Sequence, residues 1–303
     1  MRLGIDLGGT KTAAIVLDDR GRTVWEQRKP TPRNDYDATI ELIAGLVADG
    51  ERAAASPCSV GIGMPGAISP ATGLVKNANS TWLNGRALRE DIERRLGREV
   101  RLANDANCLA VSEATDGAAA GAEVVFGVIL GTGTGGGIVV RGQLVTGANA
   151  IAGEWGHNPL PWPEDDERPG RECYCGRRGC LETFLSGPAL SASYADLAGR
   201  TESGEAVVAL AASGDESARA VLDRWTARLA RALASVINVL DPDVIVVGGG
   251  LSRLDHIYSR VPEIWGAWVF SDRVATRLVQ ARFGDASGVR GAAWLWPAML
   301  LSP

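Results

Sequence analysis

The sequence is poor in the residues that most often bind metals or carry catalysis. Its 303 residues include only two histidines, five cysteines and three methionines. No stretch of 18 consecutive apolar residues is present, which argues against a membrane-spanning helix. Basic tracts are also missing, and 36 acidic against 31 basic side chains give a net charge of −5. Nucleic acid is therefore not indicated as a partner.

The N-terminal segment also lacks the form of a secretory signal. Asp6 interrupts its apolar stretch, and no small-residue cleavage site follows a proper apolar core. With 46% hydrophobic and 22% charged residues, the composition is that of a soluble globular protein. We therefore predict a cytoplasmic location, where cysteines stay reduced and a cluster of them indicates metal binding or chemistry more than a disulfide.

Helices and strands alternate along the chain, which predicts an α/β architecture. The pattern of strand, glycine turn and strand occurs twice, first in "RLGIDLGGTKTAAIVLDD" and again in "VVFGVILGTGTGGGIVV". A long helix is predicted for residues 218–240, and a last helix for "GVRGAAWLWPAML". No low-complexity linker separates the two copies, and we place a boundary between lobes near Gly117–Gly121.

Three glycine clusters are candidates for phosphate binding. They are Asp6–Thr12, Gly131–Gly137 and Gly248–Gly250, the last directly after the apolar strand "DVIVV". Glycine lets the backbone approach a ligand closely, so that N–H groups can point at phosphate oxygens. Each cluster alone could be only a tight turn. A Walker loop is absent, and the loose G-x-G-x-x-G match at Gly131–Gly136 precedes a strand, which disfavours a dinucleotide site.

Asp105 lies where the predicted strand "EVRLAN" meets a helix, and two readings of it remain open. An aspartate at such a junction is commonly a helix N-cap. The functional reading is a general base, because phosphoryl transfer to an alcohol needs a carboxylate that accepts the hydroxyl proton. Asn104 and Asn79 could then hydrogen-bond the hydroxyls of a sugar.

One loop concentrates the rare residues. His157, Cys173, Cys175 and Cys180 have the spacing H-x15-C-x-C-x4-C, and three thiolates with one imidazole form the closed set typical of structural zinc. Unrelated buried cysteines are the alternative. Glu154 and Glu182 flank the set and could accept hydrogen bonds from sugar hydroxyls, or could be solvated charges. His157 could also donate to a substrate from its second ring nitrogen.

The motifs "GIDLGGTKT", "GIGMPG", "LANDAN", "GTGTGGG", "GEWGH", "CYCGRRGCLE" and "DVIVVGGG" resemble the signatures of the ROK family of repressors, open reading frames and kinases. The resemblance extends from Gly4 to the terminal "GVRGAAWLWP". Within the family, "KNANSTWLNG" and "GEWGHNPLPW" resemble the bacterial fructokinase (mannofructokinase) branch most, and the N-acetylglucosamine kinases share much of the rest. The acidic stretch between His157 and Cys173 is longer than in compact members.

The resemblance implies a two-lobed, actin-like (ribonuclease H-like) α/β ATPase fold with a zinc-bearing loop, and commonly a homodimer. Residues 1–117 would form the small lobe, to which a C-terminal helix at 288–303 returns, and residues 118–287 would form the large lobe. The implied activity is ATP-dependent phosphorylation of the 6-hydroxyl of a hexose, with D-fructose favoured, mannose or glucose as further substrates and N-acetylglucosamine as the alternative.

The resemblance also assigns roles to residues. Asp105 would be the catalytic base, and Asp6 would position Mg²⁺ through water. The sugar would contact Asn79, Asn104, Asp105, Glu154, His157 and Glu182. ATP would contact the three glycine clusters through Gly4, Ile5, Asp6, Leu7, Gly8, Gly9, Thr10, Lys11, Gly131, Thr132, Gly133, Thr134, Gly135, Gly136, Gly137, Ile138, Gly248, Gly249 and Gly250.

Two other functions compete with a kinase. A sugar-responsive transcriptional regulator of the same family would carry an added N-terminal DNA-reading domain, and here the first glycine hairpin starts at the fourth residue. A non-catalytic sugar sensor would be expected to show damage at the glycine turns or at Asp105. Neither position is damaged, so the sequence favours the kinase.

Overall fold

The structure of the protein is a computed structural model that describes residues 1–296. The chain forms two compact units. The first contains Met1–Gly121, Gly137–Ala152 and the segment that starts at Arg282. The second contains Ala122–Gly136 and Gly153–Ala281.

The sheet of the first unit has five strands. They are β1 (Arg2–Leu7), β2 (Lys11–Leu17), β3 (Thr23–Pro30), β4 (Ser59–Met64) and β7 (Val100–Asn104), with the two-residue strands β5 (Ala67–Ile68) and β6 (Val75–Lys76) paired separately. The order in the sheet is β3-β2-β1-β4-β7. Strands β1, β4 and β7 are parallel, whereas β2 is antiparallel to β1 and β3. The carboxyl ends of β1, β4 and β7 therefore meet at one edge.

Four helices accompany this sheet: α1 (Tyr36–Ala54), α2 (Leu88–Leu96), α3 (Asp105–Thr115) and α9 (Ser287–Trp294). Helix α1 begins at an N-cap, since the Asp35 carboxylate accepts the N–H of Ala38, and its apolar face includes Ile40, Ile43 and Leu46. The core of the unit consists of this face and the buried side chains of β1 and β4. Burial of these side chains on one face of the sheet is the main stabilising term for the unit.

Glycines bring α9 into backbone contact with its neighbours. A Cβ atom added to Gly61 of β4 would lie 1.9 Å from the carbonyl oxygen of Ala292, and one added to Gly291 would lie 1.7 Å from the carbonyl oxygen of Cys108 in α3. No side chain larger than hydrogen fits at either position. The buried Glu113 carboxylate fixes the start of α9 by accepting from the Ser287 hydroxyl at 2.8 Å and from the Arg282 N–H at 2.9 Å.

The second sheet has the order β10-β9-β8-β11-β12. Its strands are β8 (Val124–Leu130), β9 (Thr134–Val140), β10 (Gln143–Leu144), β11 (Val244–Gly248) and β12 (Arg277–Gln280). Strand β11 is parallel to β8 and β12 and is buried along its whole length, which matches its unbroken apolar sequence. Five helices lie within the second unit: α4 (Glu182–Leu185), α5 (Gly187–Ala198), α6 (Gly204–Ser213), α7 (Glu216–Leu240) and α8 (Ile257–Ile264).

The acidic stretch between His157 and Cys173 is anchored to α7. Glu167 is buried, and its carboxylate accepts from the Arg228 guanidinium at 2.7 Å and contacts that of Arg231 at 2.9 Å. Arg228 and Arg231 are themselves buried. A buried carboxylate with two arginines is costly to separate, because the partner left behind keeps an uncompensated charge. The loop is therefore fixed on the unit even though its composition is that of a solvated loop.

Most of the predicted elements form. The long helix predicted at 218–240 is α7, which starts two residues earlier because Asp215 caps it by accepting the N–H of Ala218. The last predicted helix is present as α9, and residues 297–303 of that prediction lie outside the described residues. Strand β12 and helices α5, α6 and α8 were not predicted. Within residues 1–296, no helix has the length and apolarity needed to cross a bilayer.

Candidate active site

Two carboxylates lie at the edge where the parallel strands of the first unit end. Asp6 is the next-to-last residue of β1, and Asp105 follows β7 as the first residue of α3. The Asp105 side chain reaches solvent, but the protein around it displaces enough water to raise the pKa of its carboxyl. The Ala106 N–H donates to Asp105 Oδ1 at 2.8 Å and opposes this shift. Asp105 is thus an accessible carboxylate with increased basicity.

The pKa of Asp6 is raised to about 6, chiefly by burial and next by the negative charge of Asp105, while the charge of Arg28 lowers it. Arg28 acts across the sheet, because Asp6 pairs with Ala13 and Ala13 pairs with Arg28. A raised carboxyl pKa stabilises the folded state at low pH. This contribution is complete below pH 4 and is lost as the pH rises through about 6.

The N-cap of α3 is Asn104, not Asp105. The Asn104 side-chain oxygen accepts the N–H of Asn107 at 2.7 Å. Asp105 is the first residue of the helix, and its carboxylate contacts the first turn through the Ala106 N–H. Asn104 Oδ1 is thus used by the helix, although the residue was predicted to contact a sugar.

Asn79 lies in the exposed loop between β6 and the short helix Thr81–Leu83. Asn84 holds this loop in place: its side chain accepts the N–H of Ala78 and donates to the carbonyl of the same residue, both at 2.9 Å. Asn84 was not among the predicted site residues. Its position within "NANSTWLNG" contains no signal that would distinguish it from the other asparagines.

The first glycine turn connects β1 to β2. Gly8 and Gly9 form the bend, Thr10 and Lys11 are exposed, and Gly4 and Ile5 are buried within β1. Thr31, at the end of β3, fixes this turn: its hydroxyl contacts the Thr12 hydroxyl and donates to the Gly8 carbonyl, each at 2.8 Å. The Thr31 N–H also donates to the Thr10 carbonyl at 3.0 Å. Thr12 was predicted as the end of the first glycine cluster, whereas Thr31 and its contact with Thr12 were not predicted.

The second and third glycine clusters are neighbours in the second unit. Strands β8 and β11 pair in parallel up to Ile129 and Gly248, so the turn after β8 and the turn after β11 leave the same edge. Gly249 has a positive φ of 83°, and a Cβ atom there would lie 2.4 Å from the Leu130 carbonyl oxygen. Only glycine allows this approach. The sequence alone predicted the two clusters but not their contact.

The second glycine turn has one unexpected partner. Glu182, predicted to contact a sugar, accepts the N–H of Thr134 through Oε2 at 2.9 Å. The Thr134 hydroxyl is buried. A carboxylate has two oxygens, so this bond is compatible with a second contact through Oε1. Glu154, half-buried in the segment before His157, also has an interaction partner within the protein.

His157, Cys173, Cys175 and Cys180 come together as the sequence predicted. Their ligand atoms all lie within 4.8 Å of one another. Cys173 Sγ is 3.5 Å from His157 Nδ1, and Cys175 Sγ is 3.6 Å from Cys180 Sγ. Four ligands around one zinc ion with Zn–S bonds of about 2.3 Å would place sulfur atoms about 3.8 Å apart. The donor set and its spacing therefore fit zinc, and the remaining cysteines, Cys58 and Cys108, are buried elsewhere.

The second ring nitrogen of His157 faces Tyr174. The distance between His157 Nε2 and the Tyr174 hydroxyl is 3.0 Å, and the two rings meet edge to face. Tyr174 is 80% exposed, so a ligand could displace this contact without unfolding the loop. A donor role toward a substrate is the prediction for this nitrogen, and its contact with Tyr174 was not predicted.

Comparison with known proteins identifies the family of this chain. A sequence model of the ROK family matches residues 2–299. An N-acetyl-D-glucosamine kinase of Escherichia coli O1:K1 is 40% identical over 299 residues, which cover 97% of this chain and 99% of that protein. A Shigella flexneri N-acetyl-D-glucosamine kinase has the same identity and coverage.

Solved structures show the same fold. A ROK hexokinase from Thermus thermophilus is 31% identical with a TM-score of 0.86 over 96% of both chains. A ROK glucokinase from Streptomyces griseus, solved with glucose and AMPPNP, is 27% identical with a TM-score of 0.77 over 97% of this chain and 98% of that one. The predicted α/β, actin-like fold class is confirmed, and this chain belongs to the ROK family.

Proposed function

We propose that the protein is an ATP-dependent sugar kinase that transfers the γ-phosphate to the 6-hydroxyl of a hexose. The observation that carries this proposal is Asp105, an accessible carboxyl with a raised pKa at the end of a parallel strand, where Asn104 and not Asp105 is the N-cap of α3. Relatives that are named as sugar kinases support it, as does the nucleotide analogue bound to the Streptomyces griseus protein together with glucose.

Asp105 is proposed to accept the proton of the sugar hydroxyl during attack on the γ-phosphate. A general base works best when its pKa lies near the operating pH, and the surroundings of Asp105 shift its pKa in that direction. Asp6 is the proposed ligand, through water, of Mg²⁺, which when bound would neutralise phosphate charge. A carboxylate whose ionised form is disfavoured by burial and by a neighbouring negative charge is suited to a cation.

The glycine turns are proposed to bind the nucleotide. The backbone of Gly8–Lys11 and that of Gly131–Gly135 would contact phosphates, and Gly248–Gly250 would lie near the adenosine. Adjacent glycines at Gly8 and Gly9 allow close approach, and the exposed Lys11 ammonium adds a positive charge. This division of roles follows the family resemblance.

The acceptor sugar is proposed to contact Asn79, Asn104, Glu154, His157 and Glu182. D-fructose remains the favoured acceptor, because "KNANSTWLNG" and "GEWGHNPLPW" resemble the fructokinase branch. N-acetylglucosamine is the second candidate, since relatives at 40% identity are named N-acetyl-D-glucosamine kinases. A homodimer is part of the same proposal and rests on the family resemblance alone.

Replacement of Asp105 by asparagine tests the base. We expect Asp105→Asn to lower kcat by roughly 10²–10⁴, with sugar binding nearly unchanged, because the amide keeps the shape but cannot accept the proton. Asp37→Asn is a matched control, since it removes an exposed carboxylate from the first turn of α1 in the same unit. For both variants, steady-state kinetics measures kcat and titration with the sugar measures binding. Turnover of Asp105→Asn equal to that of the control would refute the assignment.

A panel of acceptors tests the substrate. Fructose, mannose, glucose and N-acetylglucosamine are each assayed with ATP and Mg²⁺ and ranked by kcat/KM. We expect fructose to rank first. If N-acetylglucosamine ranks first, the second candidate is correct, and if no sugar releases ADP above the rate without acceptor, the kinase proposal is wrong.

Chelation tests the metal. We expect about one zinc per chain, and a lower melting temperature after its removal, because four ligands join distant parts of one loop. Cys175→Ser should lose the zinc, whereas Cys58→Ser, a cysteine outside the set, should retain it. Elemental analysis measures the zinc content, and thermal unfolding measures the melting temperature. Absence of zinc from protein purified without chelator would exclude the site.

A further inference from the structure

The second glycine turn is hydrogen-bonded by two side chains, each of which lies two residues from a proposed zinc ligand in the sequence. Trp155, two residues before His157, donates its indole N–H to the Gly135 carbonyl at 2.9 Å. Glu182, two residues after Cys180, accepts the Thr134 N–H at 2.9 Å. Two peptide groups at the start of β9, directly after the turn, are therefore fixed by the two ends of the metal-binding loop.

The packing around Trp155 leaves this arrangement little freedom. The residue is 4% exposed, and its ring meets Phe126 of β8 edge to face with centroids 5.5 Å apart. A Cβ atom added to Gly156 would lie 1.9 Å from the Thr134 carbonyl oxygen. The segment before His157 thus rests directly on the backbone of the turn, so a displacement of one displaces the other.

Glu182 restricts the turn through a charged hydrogen bond and through close packing. A Cβ atom added to Gly133 would lie 2.7 Å from Glu182 Oε2, which shows how closely the carboxylate approaches the turn. A hydrogen bond from an N–H to a carboxylate is stronger than one between neutral groups. The bond therefore fixes the peptide plane between Gly133 and Thr134 and sets the direction in which the neighbouring N–H groups of the turn point.

We infer that Trp155 and Glu182 are positioning residues through which the metal-binding loop sets the affinity of the second glycine turn for nucleotide phosphates. The inference rests on the proposed function, because it requires that this turn binds a nucleotide. Backbone N–H groups bind phosphate well only when they are already oriented, and freedom in the turn has to be lost on binding. Zinc would therefore strengthen nucleotide binding without contacting the nucleotide.

The first test is the indole hydrogen bond. Trp155→Phe removes the donor and keeps an aromatic ring, and we expect the Kd for AMPPNP, measured by calorimetry, to rise about 3- to 10-fold. Trp296→Phe is the matched control, because it loses an indole bond of the same kind, to the Val60 carbonyl at 2.7 Å in the first unit. Its Kd should stay within about 2-fold of the original protein. Equal affinities for Trp155→Phe and the original protein would overturn the inference.

The second test is the carboxylate, and it remains informative if Trp155→Phe does not fold. Glu182→Gln keeps an oxygen that can accept the Thr134 N–H, whereas Glu182→Ala removes it. We expect the alanine variant to bind AMPPNP about 10-fold more weakly and the glutamine variant to recover most of that loss. If the two variants bind equally well, Glu182 does not position the turn.

The third test connects the turn to the metal. Zinc-free protein should bind AMPPNP more weakly and recover on addition of zinc. Zinc removal should have a smaller effect in Trp155→Phe than in the original protein, because one of the two contacts through which the metal acts is already lost. Additive effects would overturn the inference. If the zinc-loaded original protein binds no AMPPNP, the proposed function itself fails. The affinities of the variants relative to the original protein test only the positioning roles of Trp155 and Glu182.

Discussion

Asp6 and Asp105 repel each other at the edge of the first sheet, in surroundings that already disfavour ionised carboxyls. The parallel pairing of β1, β4 and β7 enforces this arrangement, because it ends all three strands at that edge. Such a pair is unfavourable for folding when both carboxyls are ionised. It is favourable for a site that binds a cation and accepts a proton.

The two units support their glycine turns by different means. In the first unit, the Thr31 hydroxyl donates to the Gly8 carbonyl and contacts the Thr12 hydroxyl. In the second, Trp155 and Glu182 hold the backbone at Gly135 and Thr134, and both are two residues away from members of the His/Cys set. Flexible glycines permit close approach to phosphate, and polar side chains from elsewhere in each unit remove the freedom that glycine brings. The acidic loop, anchored through Glu167, belongs to the same supporting structure.

Local patterns in the sequence predicted the parts of the site whose chemistry depends on neighbours along the chain. The glycine turns, the position of Asp105 after a strand and the Cys/His spacing are of this kind. Partners distant in sequence could not be predicted, because hydrophobic periodicity does not tell which polar groups meet. Thr31 at the Gly8 carbonyl, Asn84 at Ala78 and Glu167 between two arginines of α7 are examples. Glu182 shows the same limit: its residue type suggested a sugar contact, and its bond to the Thr134 N–H could not be predicted from the sequence.

The most direct test of the account is the carboxyl pKa of Asp6, measured by ¹³C NMR titration of the protein without nucleotide or metal. The account predicts a value of about 6, and a lower value in Asp105→Asn, because that substitution removes the second-largest cause of the shift while burial remains. An Asp6 pKa near its ordinary value of 3.8 that is the same in both proteins would contradict the proposed interaction between the two carboxyls.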